Sequence, residues 1–495
     1  MAQAQQFAQQ FGKTKNIANR SKKYLEEALY KRLFREGSSD HSVRTELNQF
    51  LDSSKRVYKW EVGMSVKKLR QRKRFAPAMK LTEAMTKRGM NMTVSDQAIH
   101  LDIIAKSRGI SSAESYFMNL PEASKNHLCY GALLNCYCKE LMTEKAEALM
   151  EKMKELQLDL SSMAYNSMMT LYTKIGQPEK IPSIIEEMKA SEIMPDSYTY
   201  NVRMRALAAV NDISGVEGVI EEMKRDGQVT GDWTPYSNLA SIYVNAGKFE
   251  KAELALKELE KINDCKDLSA YQFLITLYGR IGNLLEVYRV WRSLRLAFPK
   301  TANISYLNMI QVLVKLKDLP GAEKCFREWE SVRSTYDIRI ANALIGAYAK
   351  EGSLEKAETL KERARRSGAK ANVKTWEIFM DYHLKHGNLK VAVDCIANAI
   401  STGRGDGRKW IPPKEVVQTF MSSFEKEKDV DGAESFLETL AKVEDVILGA
   451  DVFESLICTY AAAGKTSPSL RRRLKMENVE VNEAAKKLLE VVCVE

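Results

Sequence analysis

Apolar residues along this chain recur on two rulers at once. Locally they fall three, four and seven residues apart, the spacing of one helix face. Over a longer distance the same pattern returns about every 35 residues. Tyr130, Tyr165 and Tyr200 are 35 apart, Tyr236 follows after 36, and Tyr271 and Tyr306 after 35 each. Extended in both directions, the ruler meets Ala341, Trp376, Val417 and Phe453 downstream, with one longer gap before Val417, and Gln97 and Val62 upstream. The phrase YNSMMTLYTKIG, Tyr165 to Gly176, returns as YQFLITLYGRIG, Tyr271 to Gly282, because both are copies of one unit. About twelve such units fill residues 59–466.

Within a unit the pattern predicts two helices. Seven residues after the anchor an aromatic recurs, at Tyr137, Tyr172, Tyr243, Tyr278, Tyr348, Phe424 and Tyr460, two turns along the same face. Four residues later stands Gly176, Gly247, Gly282, Gly352, Gly387 or Gly464, a helix stop that uses a left-handed backbone. Five beyond it a small residue, Ala146, Ala252, Ala322, Ala357, Ala392 or Ala433, often followed by Glu, lets a second helix come close to the first. The second helix is expected to end on a large buried residue: Met118, Met153, Met188, Met223, Leu259, Leu294 and Trp329. One hairpin cannot bury its apolar stripe, but stacked hairpins can, so the expected fold is an all-α solenoid of about twelve 35-residue helix-turn-helix repeats. The tyrosine, methionine and alanine ladders are then core. Function belongs to positions on the inner surface that vary from unit to unit.

The flanks differ from the array. Residues 1–25 contain no acidic residue, five basic ones and two phenylalanines, the composition of an organellar targeting segment, with a disordered or RNA-touching tail as the alternative. Residues 26–58 read as a helical lead-in, and 467–495 as a basic and then charged helical tail.

A 35-residue hairpin with TYN opening the first helix, KxG closing it, and EEMK followed by PD at its end resembles the pentatricopeptide repeat. The match is clearest for Ser162 to Asp196 and the unit after it, and its spacing is that of the P class, largely a land-plant organellar family. The resemblance implies a right-handed α-solenoid that binds RNA without catalysis. It also implies that the residue after the anchor and the last residue of the unit read one base together. Those pairs are Asn166 with Asp196 and Asn201 with Asp232, both uracil-type, Ser237 with Asp267, guanine-type, and Asn342 with Asn372, pyrimidine-type. Other pairs, such as Gln272 with Ala302 and Gln418 with Gly449, do not read. Three adjacent legible units are few for picking one transcript from many, since a well-read base contributes only about 1–3 kcal/mol of discrimination. The resemblance therefore points to the members that serve as parts of plant mitochondrial ribosomes, in the matrix, with ribosomal RNA and ribosomal proteins as partners. A messenger-RNA factor, a chloroplast location and a protein-binding scaffold are the alternatives.

Charge adds a second kind of candidate. The formal net charge is +10, and two segments concentrate it: KKLRQRKR, with Lys67, Lys68, Arg70, Arg72, Lys73 and Arg74, and RRRLK, with Arg471, Arg472 and Arg473. Such density neutralises phosphates without reading sequence. The insertion STGRGDGRKW, Ser401 to Trp410, breaks the ruler in a Gly-rich loop. Eight dispersed cysteines without a CxxC pair read as small buried residues in a reducing compartment. No cofactor, metal, membrane or small-molecule substrate is expected: no deaminase-type zinc signature, phosphate-binding loop or nucleophile motif is present, and the tail is too short for a catalytic domain.

Overall fold

The computed structural model describes residues 28–34, 40–53, 58–227, 232–262, 267–333, 335–405, 410–441, 449–477 and 479–493. The segment 1–25 and residues 406–409 of the insertion lie outside them. The described residues hold α-helices and two short 3-10 turns and no strand. They fall into two compact units, 1–266 and 267–495.

In the first unit the helices pair as α1 (Leu29–Arg32) with α2 (Asp40–Asp52), α3 (Lys59–Gln71) with α4 (Phe75–Lys87), and α5 (Val94–Arg108) with α6 (Ile110–Met118). They continue as α7 (His127–Lys139) with α8 (Thr143–Glu155), α9 (Ser162–Lys174) with α10 (Ile181–Ala190), α11 (Ser197–Ala209) with α12 (Ile213–Asp226), and α13 (Thr234–Asn245) with α14 (Phe249–Ile262). The second unit pairs α15 (Leu268–Ile281) with α16 (Leu284–Ala297), α17 (Asn303–Lys315) with α18 (Leu319–Val332), and α19 (Ile338–Lys350) with α20 (Leu354–Arg366). It ends with α21 (Val373–Lys385) and α22 (Leu389–Gly405), α23 (Lys414–Glu427) and α24 (Val430–Ala441), α25 (Ala450–Ala463) and α26 (Leu470–Met476), and the single helix α27 (Glu483–Val492). The ruler holds its register: α9 starts at Ser162 and α19 at Ile338, each three residues before its anchor, as do α3 and α5 before Val62 and Gln97. Within residues 26–58, α1 and α2 pack on α3 and α4 as one more hairpin, and α27 packs on α25 as half of another.

The turn between the helices follows from one backbone bond. Gly176, Gly247, Gly282 and Gly352 take φ of 74°, 70°, 90° and 77°, which lets the next N–H reach back to the carbonyl of the aromatic four residues before the glycine. Gln177 N–H donates to the Tyr172 carbonyl at 2.9 Å and Ser353 N–H to that of Tyr348 at 2.9 Å. Leu141, Asn211, Lys317 and Lys428 occupy the same left-handed position without being glycine, at φ between 55° and 61°.

Packing then explains the ladders. Ala146, Ala252, Ala322, Ala357, Ala392 and Ala433 are all 0% exposed, so each second helix seats on its neighbours with no room for a further methyl group. Met153, Met188, Met223, Leu259, Leu294 and Trp329 are buried as expected, but Met118 is 71% exposed. The buried residue at the end of α6 is Phe117, which meets Tyr130 edge-on at 4.9 Å. The unit before Tyr130 is shorter than the rest because Gly109 alone joins α5 to α6, where residues 140–142 join α7 to α8, and this shifts which residue of α6 faces inward. The insertion differs from its expectation too: α22 runs on through Gly405, so its Gly-rich start is helix rather than loop. Past it the stack continues through α22 against α24.

Neighbouring hairpins are also stitched by a repeated side-chain triad. Tyr172 Oη donates to Glu147 Oε1 at 2.7 Å, and Lys180 Nζ reaches the same oxygen at 2.9 Å. Tyr137 and Lys145 meet Glu114 at 2.9 and 2.7 Å, and Tyr243 and Lys251 meet Glu217 at 3.1 and 2.6 Å. The glutamate that follows the alanine position is thus the acceptor for the next hairpin's aromatic. The Tyr172 hydroxyl is pushed well up, by burial first and by the Glu147 carboxylate next, so it stays a donor.

Candidate nucleic-acid interface

On each first helix, residues two before the anchor and two, five and nine after it share one face. On α9 these are Met163, Ser167, Thr170 and Lys174. Ser167 and Thr170 hydroxyls donate back to the carbonyls of Met163 and Asn166, at 2.8 and 2.7 Å. That leaves the lysine as the charged group on the face. Its counterparts are Lys106 and Lys139 in the first unit and Arg280, Lys315, Lys350, Lys385 and Lys426 in the second, every one exposed. A cation in the last turn faces unsatisfied helix carbonyls and is favourable there by about 0.3–1 kcal/mol, so folding and anion binding ask for the same residue. The ladder carries one charge in eight of the twelve units; Gln71, Ala209, Asn245 and Ala462 stand at its position in the others. In the sequence the lysine served only as part of the KxG helix ending, although its period was in plain view.

The four base-reading pairs fare differently. Asn166, 3% exposed, donates from Nδ2 to Asp196 Oδ1 at 3.2 Å. Asp196 is the N-cap of α11: its Oδ1 accepts from Thr199 N–H at 2.8 Å and its Oδ2 from Ser162 Oγ at 2.8 Å. Burial alone would raise the Asp196 carboxyl; the bonds from Thr199, Ser162 and Asn166 outweigh it and hold it below the usual carboxylate range. Asn342 and Asn372 repeat the arrangement, with Asn342 Nδ2 donating to Asn372 Oδ1 at 2.9 Å and Asn372 capping α21. Asn201 does not pair with Asp232 directly: both meet Thr234, Asn201 through Nδ2 at 3.3 Å and Asp232 as acceptor of the Thr234 amide at 2.9 Å. Ser237 donates to the Thr234 carbonyl at 2.9 Å, and Asp267 caps α15. Asn166, Asn201 and Asn342 thus bond to the next hairpin, whereas the bonds of Ser237 and Asp267 are local to their own helices. Asn166 Oδ1 and Asn201 Oδ1 remain buried without a partner, two acceptors that the protein itself leaves unused.

The basic runs divide as well. Arg70 pairs with the buried Asp102 at 2.7 Å, which also holds Lys106. Lys68 lies 5.6 Å from the Tyr30 ring centre and Arg72 4.5 Å from that of Phe34, so both pack against the first hairpin. Lys67 and Lys73 are exposed. In the second run Arg473 pairs with Glu434 at 2.7 Å, while Arg471 and Arg472 are exposed. Four of the nine expected phosphate ligands, Lys68, Arg70, Arg72 and Arg473, are thus engaged by neighbouring side chains of the fold. Among the described residues no group of three His, Cys, Asp or Glu gathers to hold a metal, and no helix is long and apolar enough to cross a membrane.

Known proteins share these features. Residues 160–209 match the profile described as PPR repeat family, and residues 128–158, 198–228, 234–263, 304–333 and 340–368 match that of the PPR repeat. The large ribosomal subunit protein mL101 (rPPR4) of Arabidopsis thaliana is 67% identical over 97% of this chain and 98% of its own length. Two Arabidopsis thaliana pentatricopeptide repeat-containing proteins named as mitochondrial are 39% and 36% identical, over 94% and 97% of this chain and 86% and 94% of theirs. The crystal structure of PPR10 with an 18-nt psaJ RNA element aligns over 93% of this chain and 88% of its own at 15% identity, with a TM-score of 0.34, too loose a superposition to transfer geometry. The repeat register, the hairpin closure and the full-length similarity agree: the chain belongs to the pentatricopeptide repeat family.

Proposed function

We propose that this chain is a non-catalytic RNA-binding part of the mitochondrial ribosome, seated on ribosomal RNA of the large subunit in the matrix. The observation that carries the reading is the 67% identity that extends over 98% of mL101, a large ribosomal subunit protein by name. The interface supports it physically. An exposed cation at the end of most first helices supplies sequence-independent phosphate contacts, whereas the base-reading pairs are largely committed to capping and to each other. Such a surface holds an RNA delivered by assembly better than it searches for one. Residues 1–25 serve, in this reading, as the mitochondrial targeting segment, 26–58 as a lead-in, 59–466 as the RNA-binding array and 467–495 as its tail. Sucrose-gradient fractionation of mitochondria carrying a tagged copy tests the proposal. Co-sedimentation with the large subunit after a high-salt wash is expected. A tagged protein that stays at the top of the gradient while protecting a messenger-RNA end would overturn it.

A further inference from the structure

The hairpin of α5 and α6 is incompletely filled on the side away from the charge ladder. α6 runs nine residues where α4 and α8 run thirteen. Beside it a hollow of about 720 Å³ opens between α4, α5 and α6, lined by Met90, Met92, Gln97, His100 and Tyr116 among others. Gln97 and His100 are three residues apart on one face of α5. Lys106, the ladder cation, follows Gln97 by nine residues, about two and a half turns, so it stands on the opposite side of the helix.

The polar atoms inside this hollow are acceptors. His100 is 8% exposed. The Thr82 hydroxyl donates its proton to the Met79 carbonyl at 2.9 Å, so in the 2.9 Å contact between His100 Nδ1 and Thr82 Oγ1 the imidazole is the donor. Burial holds His100 below its usual pKa against the pull of Glu83, and the ring stays neutral. A neutral ring with its proton on Nδ1 carries a lone pair on Nε2, and Nε2 has no hydrogen-bond partner among the described residues. Gln97 Oε1 is buried and likewise unpartnered. Around these atoms the surface is soft and apolar, built from the thioethers of Met90 and Met92 and from the Tyr116 ring, which meets His100 edge-on at 5.1 Å. The charges nearby suit no ion. Glu83 is already paired with Arg108 at 2.6 Å, and Lys87, which also lines the hollow, is exposed with no ion pair among the described residues. The surplus positive charge disfavours a cation, and the bare acceptors disfavour a carboxylate.

We propose that this hollow is a docking site for a tryptophan side chain of a neighbouring protein. Indole is a hydrogen-bond donor and no acceptor, so it can satisfy Gln97 Oε1 without burying a lone pair of its own. His100 Nε2 then accepts from a main-chain N–H of the same segment. The indole rings lie against the two methionine sulfurs and Tyr116, with Lys87 over their face. A buried aromatic anchor of this kind carries a large share of the energy of an interface. The inference goes beyond RNA binding, since it gives a protein partner to the side of α5 that the charge ladder does not use.

The test uses the full chain labelled with carbon-13 at the methionine methyl groups, with the Met90 and Met92 signals assigned through Met90→Leu and Met92→Leu. N-acetyl-L-tryptophanamide is titrated in as the probe. Both signals should shift and saturate, with a midpoint on the order of 1 mM for a fragment of this size. The benzothienylalanine analogue, which has sulfur in place of the indole N–H, should bind about three- to tenfold more weakly, the scale of one hydrogen bond. Gln97→Met should erase that difference, and Tyr116→Leu should weaken both probes alike, with helicity by circular dichroism unchanged. Unmoved Met90 and Met92 signals, equal binding of the two probes by the parent, or tighter binding of N-acetyl-L-argininamide or adenosine monophosphate at the same methyl groups would each overturn the inference. None of these results touches the RNA-binding reading, which the gradient experiment decides.

Discussion

Asp196 is both a base-reading candidate and a helix cap, and the two roles can be separated by experiment. Asp196→Ala removes the N-cap of α11, worth about 1 kcal/mol. It also removes the acceptor for Ser162 and Asn166, which join α9 to α11 at 2.8 and 3.2 Å. At about 1 kcal/mol net for the part-buried Asn166 bond and less for the exposed Ser162 bond, the substitution costs about 2–3 kcal/mol in all. Repeat arrays open locally, so the loss belongs to the junction between these two hairpins rather than to the whole chain. Native-state hydrogen exchange reads it directly. The Thr199 amide, now bonded to Asp196 Oδ1 at 2.8 Å, should exchange about 30- to 150-fold faster. Asp196→Asn keeps an acceptor for Thr199 and Asn166, and Ser162 can turn its hydroxyl to accept instead, so it should cost under about 1 kcal/mol. The pH dependence has a definite sign. The folded carboxyl is held below its ordinary value, so its contribution is complete at neutral pH and is lost as pH falls through the folded value, below the usual 3.8. Asp196→Asn should lack that acid-side decline. If Asp196→Ala leaves Thr199 exchange within twofold of the parent, the capping network does not hold the junction. RNA affinity measured on Asp196→Asn, not on Asp196→Ala, then reports base reading without a broken cap.

Three further outcomes follow from the packing and the charge ladder. Glu147→Ala removes the shared acceptor of Tyr172 and Lys180, and because the Glu147 and Lys180 side chains are 39% and 45% exposed, the cost is about 1 kcal/mol. A double-mutant cycle with Tyr172→Phe should show that the two losses are not additive, and strict additivity would mean that the bond contributes nothing. Replacing Lys174, Lys315 and Lys350 by alanine together should flatten the slope of log affinity against log salt by about two for a single strand, with all sequences weakened alike. An unchanged slope would remove the ladder from the interface. Cys325, buried and with its thiol pushed up to about 12 by that burial, should resist alkylation by iodoacetamide at pH 8 until the protein unfolds, and stoichiometric labelling of the folded chain would contradict the packing around α18.

The parts of this protein that were legible in its residues are the ones fixed by short-range rules. A helix face repeats every 3.6 residues and a left-handed residue ends it, so Tyr165, Tyr172 and Gly176 announce a hairpin with no knowledge of its neighbours. The alanine ladder was legible for the same reason: a small residue at a fixed offset has one use where two helices cross. The misreadings sit where a partner lies one repeat away. Arg70 looked like part of a phosphate cluster because its partner Asp102 is 32 residues on, and only the stacking of α3 beside α5 brings the two to 2.7 Å. Met118 continued a 35-residue ladder on paper but faces water, because Gly109 alone joins α5 to α6 and the helix presents Phe117 inward instead.

The sequence by itself determined the fold class, the period, the hairpin boundaries and the identity of the core, since each is set by the spacing of apolar and left-handed positions along one chain. Tertiary structure alone decided which polar residues are spent on holding repeats together and which remain for a partner. Asn166 and Lys174 are equally polar in the sequence. In the folded chain the first is 3% exposed and bonded to Asp196, while the second stands exposed at the end of α9. That division depends on where the adjacent hairpin places its cap and its carboxylates, a relation between residues about thirty apart that no local pattern encodes.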